Sequence, residues 1–150
     1  MKIAKRFFCL ALALVLSFSV YTGASAVEPR ASAYLRSYGA YCYPEDDGSV
    51  SVWFEVYGTG TEEVLGVLTI TIEGHAPGST TWSHVKTYMH EYNPHFLSYN
   101  DNFHYGSVDC EDVIPGYIYR AVVTFWGGGM EIGDDRYYTT SAVVAKTPSA

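Results

Sequence analysis

Apolar and polar residues alternate with a period of two along most of this chain. The clearest run is Ser49-Val50-Ser51-Val52-Trp53-Phe54-Glu55-Val56-Tyr57. In an extended strand Val50, Val52, Phe54 and Val56 fall on one side, and Ser51, Trp53, Glu55 and Tyr57 on the other. Pro44-Glu45-Asp46-Asp47-Gly48 is a turn by composition, so the segment from Arg36 to Tyr43 pairs back as a hairpin strand. Gly58-Thr59-Gly60-Thr61 reads as the end of the central strand. Val64 to Glu73 reads as the next, with Leu68, Ile70 and Ile72 on one face. Thr81 to Tyr92 alternates less cleanly and reads as an edge strand ended by Pro94, followed by a long connection from His95 to Asn102. A short strand near Phe103 to Cys110, a strong one from Tyr117 to Trp126 and a last one from Arg136 to Lys146 complete the pattern. Thr, Val, Tyr and Trp dominate these runs, as half-buried pleated surfaces favour. Short strands spaced by about a dozen residues, with turn chemistry between them, predict an all-β, antiparallel, two-sheet β-sandwich of about seven strands.

The first 26 residues break the pattern. Lys2, Lys5 and Arg6 precede an apolar run from Phe7 to Val20, and Ala24-Ser25-Ala26 supplies small residues at its end. That order is a secretory signal with cleavage expected before Val27, so residues 27–150 form the expected single domain and its destination is extracellular. The run is short for a membrane span, and no membrane association is expected after cleavage. Loss of Lys2, Lys5 and Arg6 leaves six basic residues against sixteen acidic ones, a net charge of −10. Such a surface repels phosphate backbones and argues against a nucleic-acid partner. Val27 to Ser32 reads as a loose leader and Thr147 to Ala150 as a loose tail.

The segment Val113-Ile114-Pro115-Gly116-Tyr117-Ile118-Tyr119-Arg120-Ala121-Val122-Val123 resembles the late strand of immunoglobulin-like and fibronectin type III domains. There a tyrosine early in the strand bonds back to upstream backbone. The resemblance implies that role for Tyr119, with Ala121, Val123 and Phe125 also facing inward. Antibody domains carry a cysteine two residues after that tyrosine. Here the position is Ala121, so their inter-sheet disulfide is absent. A second likeness covers most of the chain after the export segment. Arg30-Ala31-Ser32 with Tyr34-Leu35, Val50-Ser51-Val52-Trp53-Phe54, Gly58-Thr59-Gly60-Thr61 and the stretch from Tyr119 to Phe125 resemble small secreted proteins of Gram-positive anaerobes, such as gut Clostridia. That family carries no assigned activity, so the likeness implies location and fold and supplies no site residues.

Chemistry is sparse. Cys42 and Cys110 remain after export, an even pair that invites a disulfide outside the cell, with two buried thiols as the alternative. Most acids sit in turn-like clusters (Glu45-Asp46-Asp47, Glu62-Glu63, Asp109-Glu111-Asp112, Asp134-Asp135), where local backbone bonding and solubility explain them. None has the spacing of a calcium loop. His84, His90, His95 and His104 gather in one region without zinc spacing, and no serine elbow, phosphate loop or dinucleotide fingerprint is present. No catalytic residue, metal or cofactor is therefore expected.

Aromatic residues supply the functional lead. Fourteen tyrosines and three tryptophans exceed what a small core needs. Trp53 and Tyr57 lie opposite the apolar face of their strand, as do Val122 and Trp126 on theirs, and Met130 follows in the glycine-rich loop from Gly127 to Asp135. These five are the candidate ligand contacts, and the expected role is non-catalytic recognition of an extracellular protein or glycan. Two other classes stay open at this level: a small secreted polysaccharide hydrolase, and a surface protein that self-associates through the edge strand at 81–92.

Overall fold

A computed structural model describes residues 32–149. The export segment, most of the leader and Ala150 lie outside the described residues. The elements are β1 (Leu35–Pro44), β2 (Val50–His75), β3 (Ser83–Met89), a 3₁₀ turn (Pro94–Phe96), β4 (Leu97–Cys110), β5 (Ile118–Gly128), β6 (Gly133–Thr139) and β7 (Val143–Val144). The fold is all-β. Among the described residues seven strands form one sheet, every pairing is antiparallel, and there is no α-helix.

The central strand is longer than its local signals suggest. Gly58-Thr59-Gly60-Thr61 does not end it, because β2 runs 26 residues without interruption. Tertiary partners hold the chain through the glycines. Thr59 N–H donates to the Tyr34 carbonyl at 2.9 Å, and its hydroxyl donates to the Ala33 carbonyl at 2.8 Å. The Glu62 carboxylate, 7% exposed, accepts from Thr59 Oγ1 and Gly60 N at 3.2 Å each. Here the β2–β4 register shifts, between Tyr57 and Glu62. The shift marks where β2 changes neighbours: β1 and β4 flank residues 50–57, whereas β3 and β5 flank 69–74. A bulge of this kind bends the strand that carries it.

Burial follows the two-residue period. Val50, Val52, Phe54 and Val56 share one core with Ile70, Ile72, Tyr119, Ala121, Val123 and Phe125. The Tyr38 ring of β1 meets Phe125 of β5 at 5.1 Å between centroids, although the two strands are not paired. Leu68 departs from the expected pattern. An irregularity between Val67 and Thr69 in the β2–β5 pairing buries Val67 and Ile70 fully and leaves Leu68 half-buried. One extra residue inverts the parity that would have put Leu68 beside Ile70.

Other boundaries move for similar reasons. β4 starts at Leu97, within the expected connection, once the Pro94–Phe96 turn has brought the chain back beside β2. The last strand divides into β6 and β7 at Thr140, whose N–H donates to the Ala121 carbonyl at 3.0 Å and whose hydroxyl accepts from Ala121 N–H at 3.0 Å. The tail is tied down: Ser149 N–H reaches the Asp46 carbonyl at 3.1 Å, and Lys146 pairs with the Asp46 carboxylate at 2.7 Å. β3 pairs with β2 alone and is an edge. Tyr119 is 2% exposed, its ring lies against Gly74, and its hydroxyl accepts from Ile114 N–H at 2.7 Å.

Cys42 and Cys110 are free, buried thiols. They stand on β1 and β4, which flank β2 on either side, with Cys42 opposite Val52 and Cys110 opposite Val50. Strands two places apart are about 9–10 Å from each other, beyond the roughly 7 Å that a bridge spans. Cys42 Sγ instead lies 3.1 Å from Thr140 Oγ1. Burial pushes the Cys42 thiol up, against smaller opposing pulls from Thr140 and Ala121. In the folded protein both cysteines are expected to resist a maleimide and to label only after denaturation, read by mass spectrometry of the peptides that carry them. Rapid native labelling of either would contradict this packing.

Candidate functional site

The outer face of β1, β2 and β4 is assembled by strand register. Reading across it, Tyr43, Ser51 and Asp109 form one row, and Tyr41, Trp53 and Ser107 the next. Gly39, Glu55 and Tyr105 follow, then Ser37, Tyr57 and Phe103. Residues in a row are cross-strand neighbours, and those two apart along a strand share the face. Tyr41 is 49% exposed, Tyr43 49%, Trp53 47% and Tyr105 64%, so several large rings face water in one patch. Phe103 stacks on Tyr105 at 5.7 Å and lies 4.5 Å from Tyr57, over which the Arg36 guanidinium sits at 5.4 Å. Gly39 adds no side chain to its row, and the Tyr41 ring lies alongside it.

Two hollows adjoin on this face and share Trp53 as a wall. One, of about 210 Å³, is bounded by Tyr41, Trp53, Glu55, Phe103 and Tyr105, with the buried Phe54 beneath. The other, of about 490 Å³, is polar: Glu45, Asp47, Ser51, Ser107 and Asp109 line it together with Trp53. Ser51 donates its hydroxyl to Asp109. Hydrogen bonds from the Ser49 hydroxyl and backbone N–H hold the Asp47 carboxyl below the usual carboxylate range. Aromatic faces thus stand next to acceptor-only carboxylates and rotatable hydroxyls.

The candidate contacts do not form a single surface. Trp53 and Tyr57 belong to the face just described. Trp126 and Met130 line a separate hollow of about 320 Å³, together with Val64, Leu68, His90, Leu97 and Tyr99. Leu68 reaches that hollow because of the β2 bulge. Val122 sits on β5 between Thr71 and Thr139 and borders neither hollow. Asp134, in the glycine-rich loop region, is occupied elsewhere. Its carboxylate accepts from Ser32 Oγ at 2.7 Å and from Ala33 N at 3.0 Å, which fastens the start of the described chain.

Sequence reasoning overlooked Tyr41, Tyr43, Phe103 and Tyr105. A signal was present: Tyr41 and Tyr43 alternate with Ala40 and Cys42, and Phe103 and Tyr105 with His104 and Gly106. Among the described residues no group of three or more His, Cys, Asp or Glu side chains is placed to hold a metal ion. No family model matches the chain, and no curated protein matches it.

Proposed function

We propose that this is a secreted, non-catalytic recognition protein that binds a glycan along the outer face of β1, β2 and β4. The observation that carries the reading is the position of Trp53, exposed between an aromatic hollow and a polar one. A sugar ring offers a C–H face to stack on an aromatic ring and hydroxyls at its rim to donate to carboxylates. Two adjoining hollows suit a ligand made of linked units. The smaller lies below the roughly 300–1,000 Å³ of a self-sufficient small-molecule pocket. The open face suits a chain that extends past each unit.

A protein partner fits less well. Cores of protein interfaces are depleted in Glu and Asp, yet Glu55 occupies the middle of this patch. For the scaffold we favour a two-layer sandwich in which β2 crosses from one layer to the other. The Tyr119–Ile114 bond supports the immunoglobulin-like likeness of the late strand. The uninterrupted β2 departs from it.

Binding to a glycan array identifies the ligand, and calorimetry then tests the site. Trp53→Ala is expected to weaken binding by about thirtyfold, equivalent to the ~2 kcal/mol of a central aromatic contact. Stability should change little, since the side chain is half in water. Trp126→Ala, in the separate hollow beside Met130, should leave affinity intact. Equal affinity of wild type and Trp53→Ala would dismiss this face as the binding surface.

A further inference from the structure

We propose that Glu55 makes the smaller hollow selective for an amine-bearing sugar, a residue of glucosamine type with its nitrogen protonated. This rests on the glycan reading above and specifies which glycan. Glu55 is half-buried at the centre of the face, with Tyr41, Trp53, Phe103 and Tyr105 around it. Among the described residues the ion pairs join Lys86 to Asp112, Arg120 to Glu73, Arg136 to Asp134 and Lys146 to Asp46. None involves Glu55. The Arg36 guanidinium sits over the Tyr57 ring.

A half-buried carboxylate among aromatic side chains, with no ion pair among the described residues, is a site for an external cation. The ring faces attract positive charge through their quadrupoles, and the carboxylate accepts hydrogen bonds from an ammonium group. An acetamide in the same place is neutral, and a uronate would be repelled. The net charge of −10 after export adds long-range attraction for a cation. Trp53, which borders both hollows, would take the sugar ring itself while its amine points at Glu55.

The test compares three oligosaccharides with the same β-1,4-linked glucose-type backbone that differ at carbon 2: triglucosamine, tri-N-acetylglucosamine and cellotriose. Calorimetry is run on the full chain after export, at a pH where the amine is protonated. The expected result is about tenfold tighter binding of triglucosamine, shrinking as salt is raised. Glu55→Gln keeps the side-chain shape and should abolish that preference while leaving the neutral sugars bound as before. Equal affinity for the three sugars, or a preference that survives Glu55→Gln, overturns the amine selectivity and leaves the glycan reading standing. Failure of every sugar to bind, with wild type and Trp53→Ala indistinguishable, overturns both. Binding of a lysine-rich peptide as tight as that of triglucosamine overturns the commitment to a sugar.

Discussion

Gly66→Ala is expected to prevent this protein from folding, or to cost more than about 4 kcal/mol if it folds. Gly66 has φ near +153°, and a Cβ there would lie 2.1 Å from the Phe96 carbonyl oxygen and 2.9 Å from Leu97 Cα. Both obstacles are backbone atoms, so no rotamer change relieves them. β2 is paired on both sides at this point, with Leu97 of β4 on one and Trp126 of β5 on the other. Shifting either neighbour breaks a ladder. Backbone strain alone costs roughly 1–3 kcal/mol, and small domains hold only about 5–15 kcal/mol in total. Gly78 supplies the control. Its φ is +81°, but a Cβ there meets nothing within 4 Å. Gly78→Ala should therefore cost only about 1 kcal/mol. Urea denaturation of the two variants separates strain from collision. If Gly66→Ala is no worse than Gly78→Ala, the close approach of β2 to Phe96 is wrong.

Phe96→Ala carries the second large effect, a loss of about 3–5 kcal/mol and a fall in Tm on the order of 10 °C. Phe96 belongs to a three-residue turn, yet it is fully buried and meets Phe54 edge-on at 5.7 Å. Phe54 in turn occupies the space that Gly106 leaves free. Truncation leaves a void that neither β2 nor β4 can close without losing pairs. Phe96→Leu retains most of the volume and should cost less than half as much. That void opens on the inner side of the sheet, where the Phe54 ring points, opposite the face that carries Trp53 and Glu55. Affinity at the outer face should therefore be kept in Phe96→Ala at temperatures where the protein remains folded. Thermal melting and calorimetry on both variants decide this, and a Phe96→Ala protein as stable as Phe96→Leu would refute the packing.

Neither effect is visible in the local signals around these residues. Alternation identified the buried faces of residues 50–57 and of β5 correctly because each face is set by its own strand: Val52, Phe54, Val123 and Phe125 are all buried. Gly58-Thr59-Gly60-Thr61 looked like an ending because glycine punctuates strands when nothing else holds the chain. What holds it is the Tyr34 carbonyl, about 25 positions earlier, and the carboxylate of Glu62. Leu68 was assigned to the core by parity, and a one-residue bulge reversed it. The site shows the same division. Periodicity assigned Trp53 to an outer face, but it does not say which strands lie alongside. The company of Tyr41 and Tyr105 depends on the register of three strands. Trp126 and Met130 share a hollow with Tyr99 only because β2 passes between β4 and β5.

That passage of one strand through two sets of neighbours has a consequence for how the molecule can be taken apart. Residues 50–57 present Trp53 and Tyr57 on the outer face, and residues 69–75 of the same strand pair with the stretch of β5 that carries Tyr119. A cut between them would part β1 and residues 50–57 from β4, which completes the same face, so truncation there breaks up the surface that carries Trp53. For the same reason, occupancy of the hollow beside Trp53 is felt by the whole molecule as resistance to melting. A thermal-shift screen can therefore find a ligand without any label near the face it occupies.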